Sequence, residues 1–202
     1  MTSVTAEPTV LIVPGLRDHV DAHWQTLLAM ELRARHRNVC VVAPMGRGDL
    51  DCAARVRAIE CHAQAIEGPL VLVAHSGGCL MVAHWAQRSK RPVHGALLAT
   101  PPDFEQPMPA GYPTIDALRA SGWLPVPRQP LPFPSLVAAS RDDPLGSYER
   151  IEALANDWGS RVVDLGHVGH LNPASGYGHW GRADTLIDEI SAGAAQTRVA
   201  RA

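Results

Sequence analysis

Three side chains in this sequence have the types needed to open an acyl bond: Ser76, Asp143 and His170. A serine hydroxyl is a feeble nucleophile at its own pKa. It needs a base within hydrogen-bond reach, and the base needs a group that holds its tautomer. Histidine suits the first role because it titrates near neutrality, and a carboxylate suits the second. Ser76 lies in Ala74-His75-Ser76-Gly77-Gly78, after the apolar run 70–74 and before the helix-like stretch 79–87. Strand, tight turn and helix with a hydroxyl at the corner is the G-x-S-x-G nucleophile elbow, with Ala74 in place of the first glycine. A serine beside glycine is also an ordinary turn, so its weight comes from its position.

Each partner has rivals. Asp142 shares the turn with Asp143, and Asp103 follows the fourth apolar run. Asp143 is preferred because Asp142 is equally suited to capping or solvating the turn, while Pro144 stiffens the chain just past Asp143. His167 competes with His170. Gly169 gives His170 the unusual backbone that a loop histidine needs to reach inward. A developing oxyanion requires two preorganised backbone N–H groups. One is expected from Gly77, at a helix N-terminus. The other is expected from Leu16 in the turn opened by Pro14-Gly15, with Arg17 as the alternative.

Six apolar runs could position these residues: 9–13, 39–43, 70–74, 96–99, 135–139 and 162–165. Continuous rather than alternating apolar runs are the mark of strands buried on both faces of a parallel sheet. Helical spacing intervenes at Trp24, Leu27, Leu28, Glu31 and Leu32, and again at Val56, Ile59, Ala63 and Ile66 behind a cap at Asp51. It recurs at Tyr148, Ile151, Leu154, Ala155 and Trp158, and at Leu186, Ile187 and Ile190. The alternation implies an α/β fold of about six mostly parallel strands with helices on both faces. Sites in such sheets form at the carboxyl ends of strands, so Leu16, Ser76, Asp143 and His170 should gather at one edge.

The segment 101–134 holds ten of the seventeen prolines, so regular structure should be scarce there apart from a short helix near 114–121. Its Phe104, Met108, Tyr112, Trp123 and Phe133 either line an apolar acyl pocket or pin the excursion to the body. At 202 residues one domain, 1–202, is expected, with flexible tails at 1–8 and 192–202 and no room for a full lid domain.

A formal net charge of −2 without a long basic run gives no reason to expect nucleic acid. The first eight residues lack a signal-peptide pattern and no apolar stretch is long enough to cross a bilayer, so no membrane association and a cytoplasmic location are expected. The four cysteines, Cys40, Cys52, Cys61 and Cys79, form no C-x-x-C pair and read as reduced and mostly structural. Among ten histidines, His19 and His23 are four apart and His167 and His170 three apart. Neither pair has the glutamate of an H-E-x-x-H site, so no metal is expected.

Taken together, Val13-Pro-Gly-Leu16, His23-Trp24, Ala74-His-Ser-Gly-Gly78, Ser140-Arg-Asp-Asp-Pro144, Gly169-His-Leu-Asn172 and Ser175-Gly176 resemble the small serine hydrolases of the RBBP9/YdeN family. The resemblance runs from Val10 to about Ile190. It implies a compact α/β-hydrolase fold, a triad of Ser76, Asp143 and His170, no metal or organic cofactor, and esterase-type action on a small-molecule acyl substrate. The mammalian member's link to the retinoblastoma protein through an L-x-C-x-E motif is not expected here, because this sequence has no such motif. The competing expectation is a hydrolase-fold binding module with little or no turnover.

Overall fold

The six apolar runs form one parallel sheet. A computed structural model describes residues 7–17 and 20–199, the side chains of 193–199 excepted. The strands are β1 (Thr9–Val13), β2 (Val39–Val41), β3 (Leu70–His75), β4 (Gly95–Ala99), β5 (Ser135–Ala139) and β6 (Arg161–Asp164), in the spatial order β2-β1-β3-β4-β5-β6. The chain moves outward from β1 to β2, returns to the far side of β1 as β3, and then steps outward through β6. The strand order therefore reverses between β1 and β3, where an α/β sheet opens a crevice at its carboxyl edge. Register keeps those two ends level, with Val13 opposite Ala74.

Alternate residues feed two cores, as a period of two requires. Leu11, Val13, Leu70, Leu72, Ala74 and Leu98 pack on one face with α2 (Cys52–Ala65), α3 (Gly77–Ala86) and α5 (Tyr148–Asp157). Val10, Ile12, Val71, Val73, Leu97 and Ala99 pack on the other with α1 (Trp24–Ala34) and α6 (Arg182–Val199). The cap expected at Asp51 is present, its Oδ1 accepting from the Ala54 amide at 3.1 Å. A buried Gln25 ties β1 and β3 together at the reversal, its Nε2 donating to Val13 O and Val73 O at 3.1 Å each.

Three expectations need correction. β2 ends at Val41 rather than at 43; Val42 N still donates to Ile12 O at 2.9 Å, but Pro44 has no N–H with which to extend the ladder. β6 is displaced by one residue and starts at Arg161. The stretch from 192 expected to be a tail continues α6 to Val199, because the small residues there include Ala192, Ala194 and Ala195, and alanine is the best helix former. Residues 1–6 and 200–202, also assigned to tails, lie outside the described residues.

The proline-rich segment carries one regular element, α4 (Ile115–Ala120), capped by Thr114. Phe104, Trp123 and Phe133 are buried in the first core, and the Trp123 indole donates to Leu50 O at 2.8 Å. The aromatics thus pin the excursion to the body, and Tyr112 alone among the five residues lines the cleft described below.

Helix α3 approaches the end of β1 so closely that a Cβ on Gly78 would sit 2.6 Å from both Val13 O and Pro14 O. Backbone cannot swing aside as a side chain can. Gly78→Ala should therefore destabilise the fold by about 1–3 kcal/mol, the usual cost of overpacking, as measured by urea denaturation.

Candidate active site

Ser76 stands at the carboxyl end of β3 with φ 55° and ψ −134°. A positive φ on a residue with a Cβ costs about 1–3 kcal/mol and persists only where the surroundings impose it. Here β3 is paired on both sides, α3 is buried along most of its length, and Ser76 N donates to Ala99 O at 3.0 Å. Gly15 lies against the serine, where a Cβ would come within 3.0 Å of Ser76 Cβ. Ala74 occupies the first glycine position of the motif without conflict, because its methyl group points into the first core.

The histidine chosen from the sequence is the one that reaches the serine. His170 Nε2 is 2.8 Å from Ser76 Oγ, and its Nδ1 is 2.8 Å from Asp143 Oδ2. With Nδ1–H donating to the carboxylate, Nε2 is left to accept from the hydroxyl. Both side chains are nearly closed to solvent, at 6% exposure for His170 and 3% for Asp143. The other oxygen, Asp143 Oδ1, accepts from the Leu145 amide at 2.9 Å.

The rivals have other tasks. Asp142 Oδ1 accepts from the Gly169 amide at 2.7 Å and from the Ser140 hydroxyl at 2.9 Å, so it anchors the loop that carries His170. Asp103 is paired with Arg150 and accepts from Glu105 N. His167 is largely exposed, 3.9 Å from Asp142. His19 lies outside the described residues, and among those described no three His, Cys, Asp or Glu side chains gather to hold a metal ion. Cys79, three residues past Ser76, is buried with its thiol on Ala99 O, and burial pushes its pKa well above the usual range. Burial likewise raises Cys52 to about 11.

Several supporting groups were not assigned roles from the sequence. His75 Nε2 donates to His170 O at 3.0 Å. Ser175 Oγ accepts from His170 N at 3.0 Å, and Asn172 Oδ1 accepts from both the amide and the hydroxyl of Ser175 at 3.0 Å. Gly169 has φ 55°, and a Cβ there would collide with Ser175 Oγ at 2.6 Å, so glycine is required twice over. Asn172 and Ser175 stood in the motif, and Gln25 is a lone amide on an apolar helix face; those were the available signals.

Leu16 and Gly77 also meet. The Leu16 side chain covers Gly77, whose Cβ would fall 2.6 Å from Leu16 Cγ, and Leu16 O accepts from the buried Arg55 guanidinium at 3.3 Å. The Arg17 guanidinium lies over the Tyr112 ring, 4.5 Å from its centroid, and both residues line the cleft onto which Ser76 opens. Ser76 and His170 open into a cleft of about 260 Å³. A larger groove of about 640 Å³ between α2 and α3 contains none of these groups.

A family model described as serine hydrolase matches residues 10–189. The chain belongs to the serine hydrolase family. A YdeN-like hydrolase from Pectobacterium atrosepticum is similar at 30% identity, covering 96% of this chain and 95% of that one, with a TM-score of 0.74. The ydeN gene product of Bacillus subtilis shares the fold at 16% identity, with 91% and 98% covered and a TM-score of 0.71. Est1E from Butyrivibrio proteoclasticus, solved with ferulic acid, shares it at 13% identity, with 94% and 88% covered and a TM-score of 0.66. No curated protein matches. The resemblance to the RBBP9/YdeN family thus holds across almost the whole serine hydrolase chain. No helix among the described residues is long and apolar enough to cross a membrane.

The Gly169 amide first, and the Ser140 hydroxyl second, hold Asp142 below its ordinary value of 3.8. A carboxylate with a depressed folded pKa stabilises fully above the unfolded value, and that contribution is lost as pH falls through the lower folded value. Urea unfolding at stepped pH should therefore show an acid limb below about pH 4 that is shallower in Asp142→Asn than in the parent.

Proposed function

We propose that this serine hydrolase is an esterase for small carboxylic esters, acting through an acyl-enzyme on Ser76. The observation that carries the reading is the unbroken hydrogen-bond chain from Ser76 Oγ through His170 to Asp143, 2.8 Å at each link. Ser76 Oγ attacks the ester carbonyl while its proton passes to His170 Nε2. Asp143 stabilises the imidazolium by accepting from Nδ1–H. The carbonyl oxygen becomes an oxyanion, which takes hydrogen bonds from the Gly77 and Leu16 amides. The intermediate collapses, the C–O bond to the alcohol breaks, and His170 returns the proton to the departing oxygen. Water then attacks the acyl-enzyme with His170 again as base, releasing the acid and restoring the hydroxyl.

Three features support this sequence of steps. Ser76 is held by its backbone in a rotationally restricted corner, His170 is buried with its tautomer set by Asp143, and the loop bearing Leu16 is fixed by Arg55. Preorganisation of this kind removes the reorganisation that water would otherwise impose at the moment of reaction.

A fluorophosphonate probe should label the protein, and Ser76→Ala should abolish labelling. On a panel of 4-nitrophenyl esters of increasing acyl length, Ser76→Ala should lower kcat by about 10⁴ to 10⁶. An unlabelled protein without turnover would instead be a binding module. Asp143→Asn should reduce kcat by about 10⁴, because the amide favours the wrong tautomer of His170. Asp142→Asn should cost far less, since an amide oxygen can still accept from Gly169; equal losses would transfer the orienting role to Asp142.

A further inference from the structure

Charge is distributed unevenly around the cleft. The whole chain carries a formal net charge of −2, yet the fixed charges lining this cleft are two arginines, Arg17 and Arg47. The other titratable side chains along its described lining are His23, His75, His170 and Tyr112, and no carboxylate lines it among the described residues. Neither arginine forms an ion pair with a described residue, although most other arginines with described side chains do pair with a carboxylate or with backbone carbonyls. Two guanidinium groups with no carboxylate partner among the described residues, lining the same cleft as Ser76, are unusual for a site that takes only neutral esters.

The Arg17 side chain and the loop that carries Arg47 are both tied down. The Arg17 guanidinium lies over Tyr112, 4.5 Å from the ring centroid, which restrains it without consuming its hydrogen-bond donors. Arg47 follows Gly46, whose carbonyl accepts from Arg55 Nη2 at 2.9 Å, and the same buried guanidinium accounts for Leu16 O. Arg55 thus joins the loop that precedes Arg17 to the loop that presents Arg47, and the two cations face one cleft from separate loops. Planar donor forks of this kind match the two oxygens of a carboxylate. A cleft whose described lining carries one sign of fixed charge also concentrates ions of the other.

We propose that Arg17 and Arg47 form an anion subsite, and that the preferred substrates are esters carrying a carboxylate or comparable anionic group a few bonds from the scissile carbonyl. This rests on the esterase reading of Ser76, and it adds the substrate's charge to it. The anion can be on the acyl side or the alcohol side of the ester; the chemistry of recognition is the same.

Two matched pairs test it. Mono-4-nitrophenyl adipate and the neutral 4-nitrophenyl adipamate place the charge on the acyl side; 4-acetoxybenzoate and 4-acetoxybenzamide place it on the alcohol side. In at least one pair kcat/KM should be about tenfold or more higher for the anion at low ionic strength, and added salt should shrink the ratio. Arg17→Gln and Arg47→Gln should each cut that ratio severalfold, and the double variant should bring it near one. Adipate should also protect Ser76 from the fluorophosphonate at concentrations where adipamide does not, a readout independent of turnover. Labelling by the probe with ratios near one in both pairs and no selective protection would overturn the anion subsite while leaving the esterase intact. A ratio that survives the double variant would overturn it as well. Failure of the probe to label the parent protein would remove the esterase reading and this inference with it.

Discussion

The backbone at Ser76 is the constraint on which the site depends. With φ at 55° the chain leaves β3 and enters α3 within one residue, and the hydroxyl is left at the outside of the bend. No local preference of serine favours that conformation. It is imposed by a strand paired on both sides and by a helix whose Gly78 permits contact with the carbonyls that end β1. The many buried contacts of the sheet offset a local cost of about 1–3 kcal/mol.

The His170 loop answers a different problem. A loop is ordinarily the most mobile part of a domain, yet the His170 ring stays at hydrogen-bond distance from Ser76. Here the backbone on either side of the ring is tied down: Gly169 N to Asp142, His170 N to Ser175, and His170 O to His75. The ties at His170 N and O serve polar groups of a buried residue, so positioning and hydrogen-bond satisfaction are achieved together there. Asp142 and Asp143 illustrate how adjacent carboxylates divide labour. One turns to main chain and hydroxyl, the other to the imidazole.

Much of this was legible in the sequence because the determinants are local. Strands buried on both faces write themselves as unbroken apolar runs, so β1 and β5 were placed to the residue and β3 and β4 to within one. Serine, acid and histidine each follow a strand, and the parallel topology converts that one-dimensional fact into proximity. The choice between Asp142 and Asp143 could be argued only weakly, since both lie in one turn and differ by the direction in which the backbone aims them. His75, Gln25 and Arg55 were beyond reach for a related reason: their partners are main-chain carbonyls distant in sequence, as far as ninety-five residues for His75. Main-chain acceptors exist at every position and leave no signature in the residue types. The run of alanines beyond Ser191 was misjudged because small residues serve tails and helices equally well, and the backbone had to decide.

The contact between His75 and the His170 carbonyl has a consequence for tolerance. His75 and Ser76 are covalent neighbours, and both touch the same histidine, one at its main chain and the other at its ring. The gap between the Ser76 hydroxyl and the His170 ring is thereby gauged across a single dipeptide, with rigid covalent geometry as the ruler. Breathing of the sheet or drift of the outer strands would carry both jaws of this caliper together, so small elastic deformations elsewhere in the molecule would leave its opening nearly unchanged.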